Sequence, residues 1–499
     1  NICIDNIPKM DLYTNGSDQQ KGQLQRMYGE ALTLRAQFYY EAIVNWGDLP
    51  AHFQPAYALA LGNPFPSRTD RDSLYDQIIA DLKTAEDLVP WRNDLGSIGD
   101  QPDERITKGT VKGLRARIAL FRGGYSLRMD GTMKRSADYE SFYQVARDEC
   151  NDIIMSGQHA LNPDYKALWK NEVDAHAITD PDGELMFQAS AIGDKGAEDS
   201  KLGYYDGPTV NGKGNKSINI LPTYFYLFDS TDLRRDVTCA AYTAGADGIT
   251  KSGTGLTAIV DGKYRRDWIT NPTVDPGNSV QYFGLNWQIL RYSDVLLMFA
   301  EAENEINGPT TASYDAINEV RRRGYGKPVD AADPTVDLPA GLSKDDFFKA
   351  VVRERSLELG GEGERKYDLL RWNLLGTALN TVKSNLLNMS DSVALVNPSY
   401  MAEYPSYSVS TTLPGSMFYI TNTTSDDNNI GGIWATSFYN SAPSSTPSGT
   451  KKVAWIDASI NTTALSRYAT GFTPGKSELM PIPQPARDAN YNFSQNPGY

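Results

Sequence analysis

Residues 354–372, with the sequence ERSLELGGEGERKYDLLRW, constrain the fold more than any other part of the chain. Two charged helical runs flank a turn that contains three glycines, and glycine at this density ends a helix. Upstream, Ser343 and Asp346 form a capping-box pattern, which marks a helix start. Val352 and Leu359 belong to an apolar stripe with helical spacing. The segment therefore predicts an αα-hairpin.

The acidic and basic side chains of this hairpin have the composition of a catalytic carboxylate set, but their spacing suits ion pairs and helix-end interactions. We therefore predict a structural role for them, and the same role for Arg35 and Arg291. The hairpin residues concerned are Glu354, Glu358, Glu362, Arg365, Asp368 and Arg371.

Helical periodicity recurs along the rest of the chain, and the helices fall into neighbouring pairs. Stacked helix pairs bury a continuous core in the way of a tetratricopeptide solenoid. Large helical assemblies with inserted loops often remain one unit, so we predict a mainly α fold with residues 1–499 in a single domain. The four predicted pairs lie near residues 20–88, 108–156, 291–323 and 345–377.

Two long segments between and after these pairs, 160–285 and 378–475, are rich in Gly, Ser, Thr, Asn and Tyr. Loops of this length in a compact protein are usually functional. Short apolar, aromatic-rich runs such as residues 417–420 are typical of small strands, so we predict minor β-hairpins here.

Composition excludes several function classes. The net charge of −14 argues against a nucleic-acid-binding surface, which needs clustered Lys and Arg. No run of about 18 apolar residues is present, so no bilayer-spanning helix is expected. The three histidines lack zinc-ligand spacing. Cys3, Cys150 and Cys239 form no metal motif, and we interpret them as small buried hydrophobic residues.

The hairpin sequence at 354–372 resembles the signature of the SusD/RagB family of outer-membrane nutrient-binding lipoproteins. Further segments resemble the family in the same order along the chain, from the first long helix to the last residue. They are residues 34–36 with 46–50, residues 291–302, residues 317–323, and residues 479–483 with 495–499.

This resemblance implies four tetratricopeptide-like helix pairs with a loop-rich ligand face. It also implies a cell-surface binder, without enzymatic activity, that captures oligosaccharide or polysaccharide and delivers it to a TonB-dependent outer-membrane transporter facing the helix pairs. Family members carry a lipid anchor at the outer membrane. Cys3 lacks the small and apolar residues that precede such an anchor, so an N-terminal segment before Asn1 is expected.

Recognition of a sugar requires aromatic rings for its C–H face and amide or charged groups for its hydroxyl rim. The loop-rich segments supply both, although a large ring in a long loop is more commonly a buried anchor. Trp46 and Trp372 fall in family motifs on helices, so we interpret them as core. The predicted ligand-binding residues are Tyr204, Tyr205, Trp268, Tyr282, Trp287 and Trp434.

No cofactor is predicted. The cluster at residues 426–429 (Asp-Asp-Asn-Asn) has oxygen ligands suited to a structural calcium ion, but it lacks the loop spacing of a calcium hand. A solvated turn is the favoured interpretation.

Other functions remain open at this stage. Relatives of this kind also capture peptides, so an oligopeptide-binding lipoprotein is the first alternative. A glycoside hydrolase is the second, and it would need two carboxyls about 5–10 Å apart across one sugar, for which no motif is present. A helical scaffold that binds protein is the third. The glycan, its linkage and its length are not encoded in any motif.

Overall fold

The structure, a computed structural model, describes residues 1–58, 65–101, 103, 105–177, 180–191, 200–270, 277, 279–401 and 407–499. Parts of both predicted loop-rich segments, 160–285 and 378–475, lie outside these residues.

The described chain is mainly helical, which confirms the predicted fold class. The α-helices are α1 (Ile2–Asn6), α2 (Asp11–Asn15), α3 (Asp18–Trp46), α4 (Arg71–Leu88), α5 (Lys108–Arg122), α6 (Tyr139–Ser156), α7 (Tyr165–Ala167), α8 (Leu202–Tyr205), α9 (Pro222–Phe225), α10 (Arg234–Thr238), α11 (Tyr292–Asn307), α12 (Thr311–Gly324), α13 (Lys344–Glu358), α14 (Arg365–Arg371), α15 (Leu375–Ser390) and α16 (Gln484–Ala489).

The long helices pack as neighbouring pairs, α3 with α4, α5 with α6, and α11 with α12. Their contact faces contribute to one apolar core, and buried ion pairs tie the helices together. Between α3 and α4, Arg35 Nη2 lies 2.8 Å from a carboxylate oxygen of Asp81. Between α5 and α6, Lys112 Nζ lies 2.7 Å from Glu149. Arg35 therefore has the predicted structural role.

Helix α13 begins as its sequence predicts. The Ser343 hydroxyl accepts a hydrogen bond from the Asp346 backbone N–H at 3.1 Å, and it donates to the Asp346 carboxylate at 2.8 Å. The side chain thus satisfies one of the backbone donors that a helix start leaves without a partner.

The second helix of the hairpin is shorter than predicted. Helix α14 ends at Arg371, and Asn373 adopts a left-handed conformation with φ of 57°. Asn tolerates this conformation at a helix end because its short polar side chain costs little there. A new helix, α15, runs on to Ser390. The predicted boundary between helices and loop at 377–378 is therefore wrong.

Short strands form five two-stranded antiparallel sheets within the described chain, in agreement with a minor β content. The strands are β1 (Ser126–Leu127), β2 (Met133–Lys134), β3 (Leu185–Ala189), β4 (Cys239–Ala240), β5 (Tyr242–Ala244), β6 (Lys251–Gly253), β7 (Val260–Asp261), β8 (Trp287–Arg291), β9 (Ser416–Ile420) and β10 (Thr450–Ala454). The pair of β3 with β8 places Ala189 opposite Trp287.

Three apolar clusters make up the described core. The first joins helices α3–α6 with α11–α13, and the second joins α9 and α13–α15 with the sheet of β9 and β10. The third surrounds Trp169, Tyr264 and Trp268. The single-domain organisation stays a prediction. In the described part of the chain, every helix is too short or too polar to cross a bilayer.

The cysteines follow the sequence interpretation in part. Cys150 and Cys239 are buried free thiols, as small hydrophobic residues would be, whereas Cys3 is exposed. Cys3 lies in the short helix α1, which contributes no buried residue to the core.

Candidate functional site

The carboxylates of the glycine-rich hairpin are buried partners of cations, which confirms their structural role. Glu358 Oε1 accepts a hydrogen bond from Arg323 at 2.5 Å, and Glu354 Oε1 accepts one from Arg234 at 2.6 Å. Asp368 accepts from Arg355 at 2.7 Å. Most of these cations lie outside the hairpin, so the motif fastens distant segments to one another as well as pairing within itself.

Arg291 connects this hairpin to strand β8. Its Nε donates to Glu362 at 2.7 Å, and its Nη1 donates to Glu184 at 2.7 Å. Burial alone would raise the pKa of Glu362, but the positive charges of Arg291 and Lys263 outweigh it and lower this pKa below its ordinary value. The carboxylate is therefore ionised at neutral pH, and the end of β8 is held in place.

Trp287, at the other end of β8, is fixed by packing beneath it. Its ring stacks on that of Tyr264, with centroids 5.5 Å apart and planes inclined by 20°. The Tyr264 hydroxyl donates to the Gln288 side chain at 2.8 Å. One face of the indole is thereby covered, while the residue remains only half-buried.

Helix α8 brings two adjacent tyrosines to the same region. The rings of Tyr204 and Tyr205 meet edge to face, with centroids 5.2 Å apart. Tyr204 packs against the third core cluster, whereas Tyr205 is 41% exposed. The helix is followed by Gly207, which has a left-handed φ of 76°. The first tyrosine therefore anchors the helix, and the second faces outward.

Tyr205 and Trp287 line one cavity of about 480 Å³. Lys201 and Asp206, which flank the two tyrosines in sequence, line the same cavity. Its wall also includes Ala189, the strand partner of Trp287. The cavity is of the size of small-molecule sites in proteins. It combines two aromatic rings with one cation and one carboxyl group.

Tyr282 contacts Lys201, one of the residues that line this cavity. The Lys201 ammonium lies 4.7 Å from the centroid of the Tyr282 ring and donates to Gln281 at 3.1 Å. A hydrogen bond with the Tyr282 side chain raises the pKa of Lys201. The ammonium is thus held as a cation near the cavity.

Asp206 has an unusual environment for a carboxyl group. Burial raises its pKa to about 6. Near neutral pH it therefore exchanges between a charged acceptor and a neutral group that both donates and accepts hydrogen bonds.

Two of the predicted ligand-binding tryptophans are buried, so the expectation that they are exposed is wrong. Trp268 is 3% exposed, and the Arg265 guanidinium covers its ring at 4.0 Å from the centroid. Trp434 is completely buried, with the Trp455 centroid 5.3 Å away. Strand β6 passes so closely that a Cβ on Gly253 would lie 2.9 Å from the Trp434 ring. Both rings serve the core.

The core interpretation of Trp372 is confirmed. This side chain is buried, and its indole N–H donates to Glu301 at 2.8 Å. Trp46 is only partly buried at the end of α3.

The amides beside Trp287 organise the strand pair. Gln288 and Asn286 are buried, and both donate to the Gln188 side chain at 3.2 Å. The polar side chains that line the cavity are instead Ser190, Ser200, Lys201 and Asp206. Lys201 and Asp206 lie close in sequence to the Tyr204–Tyr205 pair, but no motif marks Lys201.

The acidic cluster at 426–429 is engaged by protein groups. Asp426 pairs with Lys166 at 3.1 Å and also with Lys170, and Asn428 donates to the Cys239 carbonyl at 2.9 Å. Arg235 donates to Asn429 at 2.7 Å. Structural calcium at this cluster stays untested.

Comparison with known proteins identifies relatives over the whole chain. A family model described as the SusD family matches residues 207–499, and a second, described as starch-binding associating with outer membrane, matches residues 4–120. A curated relative, SusD-like protein P25 of Formosa agariphila, is 28% identical over 407 residues, which cover 75% of this chain and 68% of the relative.

Solved structures share the fold. A SusD homologue from Bacteroides thetaiotaomicron superposes with a TM-score of 0.71 at 24% identity, covering 100% of this chain and 83% of the other. A laminarin-binding SusD-like protein superposes with a TM-score of 0.60 at 18% identity, again covering 100% of this chain and 83% of the other.

Proposed function

The chain belongs to the SusD family, and from this premise we propose that it is a cell-surface glycan-binding protein. Its ligand site is the cavity between α8 and β8. Tyr205 and Trp287 cover the C–H face of a sugar ring, and Lys201 and Asp206 bond to its hydroxyls.

One observation carries this proposal most directly, namely the pairing of a half-exposed Tyr205 with a supported Trp287 across a cavity of about 480 Å³. Because Tyr264 already holds the indole plane, little side-chain entropy is lost when a sugar stacks on its open face. Rings of this kind give large contact areas at low entropic cost. A structural relative described as laminarin-binding supports the same ligand class.

We further propose that the protein captures its glycan without cleaving it. Hydrolysis of a glycosidic bond normally uses two carboxyl groups that flank one sugar. Among the described residues that line the cavity, Asp206 is the sole acidic side chain. The cavity is thus equipped for stacking and hydrogen bonding, with one carboxyl group as a polar contact.

The proposal extends to the partner and location. The protein sits at the outer membrane, held by an N-terminal lipid anchor, and passes its glycan to a TonB-dependent transporter. A family model described as associating with outer membrane supports this placement. Detergent extraction of the source membranes and affinity purification of the lipidated protein test it, and recovery of this protein without any such transporter would contradict delivery.

Binding is tested with the purified protein by calorimetry against starch, laminarin, fructan, mannan, xylan, pectin and host glycans, with a peptide pool alongside. We expect saturable binding to one glycan class, lost in Trp287→Ala, without release of reducing ends. Retention of peptides in place of glycans would move the function to oligopeptide capture. Appearance of reducing ends would overturn the claim of a non-enzyme.

A further inference from the structure

A second cavity, of about 410 Å³, lies on another side of the glycine-rich hairpin. It is partly open to solvent and is bounded by α9, the start of α14, and α15. Its walls are mainly apolar. They include Leu221, Leu379, Val382 and Met401, with the rings of Tyr400 and Tyr468.

The cation in this cavity is Arg365, the first residue of α14. Its Nη1 donates to the Val352 carbonyl at 2.9 Å. No carboxylate in the described part of the chain lies within ion-pair distance of its guanidinium, and no described group accepts from Nε or Nη2. Arg365 therefore contacts the preceding helix α13, as a structural residue would, but forms no ion pair among the described residues.

Other arginines of the same hairpin behave differently. Arg355 pairs with Asp368 at 2.7 Å, and Arg371 donates to Glu301 at 2.8 Å. Arg365 has no carboxylate partner of this kind among the described residues, and burial lowers its pKa from the ordinary value. A guanidinium remains protonated in proteins, so the partly exposed Arg365 side chain presents a positive charge in this cavity.

The geometry of the guanidinium defines what would satisfy it. With Nη1 engaged by the Val352 carbonyl, the edge formed by Nε and Nη2 remains. Two parallel N–H donors on one edge match the two oxygens of a carboxylate, and this fork is stronger and more specific than a single neutral hydrogen bond.

Two further polar side chains of the wall are already used. The Asn385 side chain bonds the Val396 backbone through both its oxygen, at 3.0 Å, and its nitrogen, at 3.2 Å. The Tyr224 hydroxyl donates to the Ser356 carbonyl at 2.8 Å. Because the walls are mainly apolar, the cavity differs in chemistry from the proposed glycan site.

We propose that this cavity binds a small amphipathic carboxylic acid, with the carboxylate on Nε and Nη2 of Arg365 and an unbranched apolar chain against Leu379, Val382 and Met401. Charge complementarity selects the carboxylate, and the apolar walls select the chain. This site is independent of the proposed glycan function, because it shares no lining residue with the first cavity.

The test uses decanoate as the probe and 1-decanol as its chain-matched neutral control. Both are titrated calorimetrically into the protein below the concentration at which decanoate forms micelles. We expect saturable decanoate binding, with decanol at least about tenfold weaker, because a bidentate charge-assisted bond exceeds 1.4 kcal/mol. The absence of saturable binding, or equal binding of decanol, would overturn the proposal.

Variants locate the site. Arg365→Gln removes the charge and should weaken decanoate binding by at least about tenfold. The decanoate affinity of Arg365→Lys should lie between that of Arg365→Gln and that of the unmodified protein. Val382→Phe fills the cavity and should abolish binding even if the Arg365 variants fold poorly. Ser384→Phe, an exposed position on the same helix, is the matched control and should bind normally. Unchanged decanoate affinity in a folded Val382→Phe would overturn the site, whatever the protein's affinity for glycans.

Discussion

Arg291 Nη2 donates to Glu362 Oε1 at 2.8 Å, deep within the protein, and this contact joins the glycine-rich hairpin to the strand that carries Trp287. The hairpin is therefore more than a helix connection. It fixes one end of β8, and the other end of that strand forms a wall of the proposed glycan site.

Loss of the Arg291 charge should destabilise the fold. In Arg291→Met, the carboxylates of Glu184, Glu358 and Glu362 stay buried without one of their cations, and breaking such a network costs about 3–5 kcal/mol. Denaturant unfolding measures this loss. The matched control is Lys349→Met, whose exposed pair with Asp346 should contribute little to stability. Equal losses in the two variants would contradict the structural role.

Trp434 and Trp287 are both predicted from the sequence to bind ligand, but replacing them should have different effects on stability and on glycan affinity. Trp434→Ala removes a fully buried ring and should lower the free energy of unfolding by about 3–5 kcal/mol. Trp287→Ala removes a half-buried ring and should cost less stability, while it lowers glycan affinity. Unfolding curves and calorimetry on both variants make the comparison. Loss of glycan binding in a folded Trp434→Ala with normal binding in Trp287→Ala would reverse the assignment.

The same two residues show what sequence can and cannot establish. Periodicity predicts the long helices, because residues such as Leu74, Ile78 and Leu82 repeat at the helical spacing and are buried. The exposure of a loop ring depends on a neighbour far away in the chain. Trp434 is buried because β6 passes across it at Gly253, and no local pattern contains that contact.

Some residues of the proposed glycan site can likewise be proposed from the sequence, whereas others are found only in the structure. Tyr205 and Trp287 could be proposed from composition and flanking residues, and the structure brings them together. Lys201 is not marked by any motif. The hairpin charges could be recognised as structural, but the distant partners Arg234 and Arg323 could not, since their pairing requires the folded chain. Arg365, without a carboxylate partner among the described residues, is the exception within the motif.

Tyr205 should contribute through its ring more than through its hydroxyl. Tyr205→Ala should weaken glycan binding by about 1–2 kcal/mol, because it removes an exposed aromatic face. Tyr205→Phe retains that face and should bind nearly as well as the unmodified protein. Isothermal titration of both variants separates the two contributions. If Tyr205→Phe lost as much affinity as Tyr205→Ala, the hydroxyl rather than the ring would carry the contact.

Asp206 should make stability depend on pH in the acidic range. Its pKa is raised from 3.8 to about 6 in the folded protein, so the folded state favours the protonated form. This contribution is fully present below about pH 4 and is lost as the pH rises through about 6. After allowance for solvent screening, the change is about 1–2 kcal/mol.

Unfolding free energies of the unmodified protein and of Asp206→Asn, measured from pH 4 to pH 7, check this expectation. The variant remains neutral throughout, so the unmodified protein should lose stability relative to it as the pH rises. Parallel curves over this range would show that the carboxyl group has an ordinary pKa.

The most direct test of the central claim is a calorimetric titration of the purified protein with its best glycan from the screen, performed on the unmodified protein and on Trp287→Ala, with reducing ends assayed in the same samples. We predict saturable binding to the unmodified protein, at least about tenfold weaker binding to the variant, and no increase in reducing ends. Equal affinity in a folded Trp287→Ala, or a rise in reducing ends with time, would contradict a glycan-capture site at Tyr205 and Trp287.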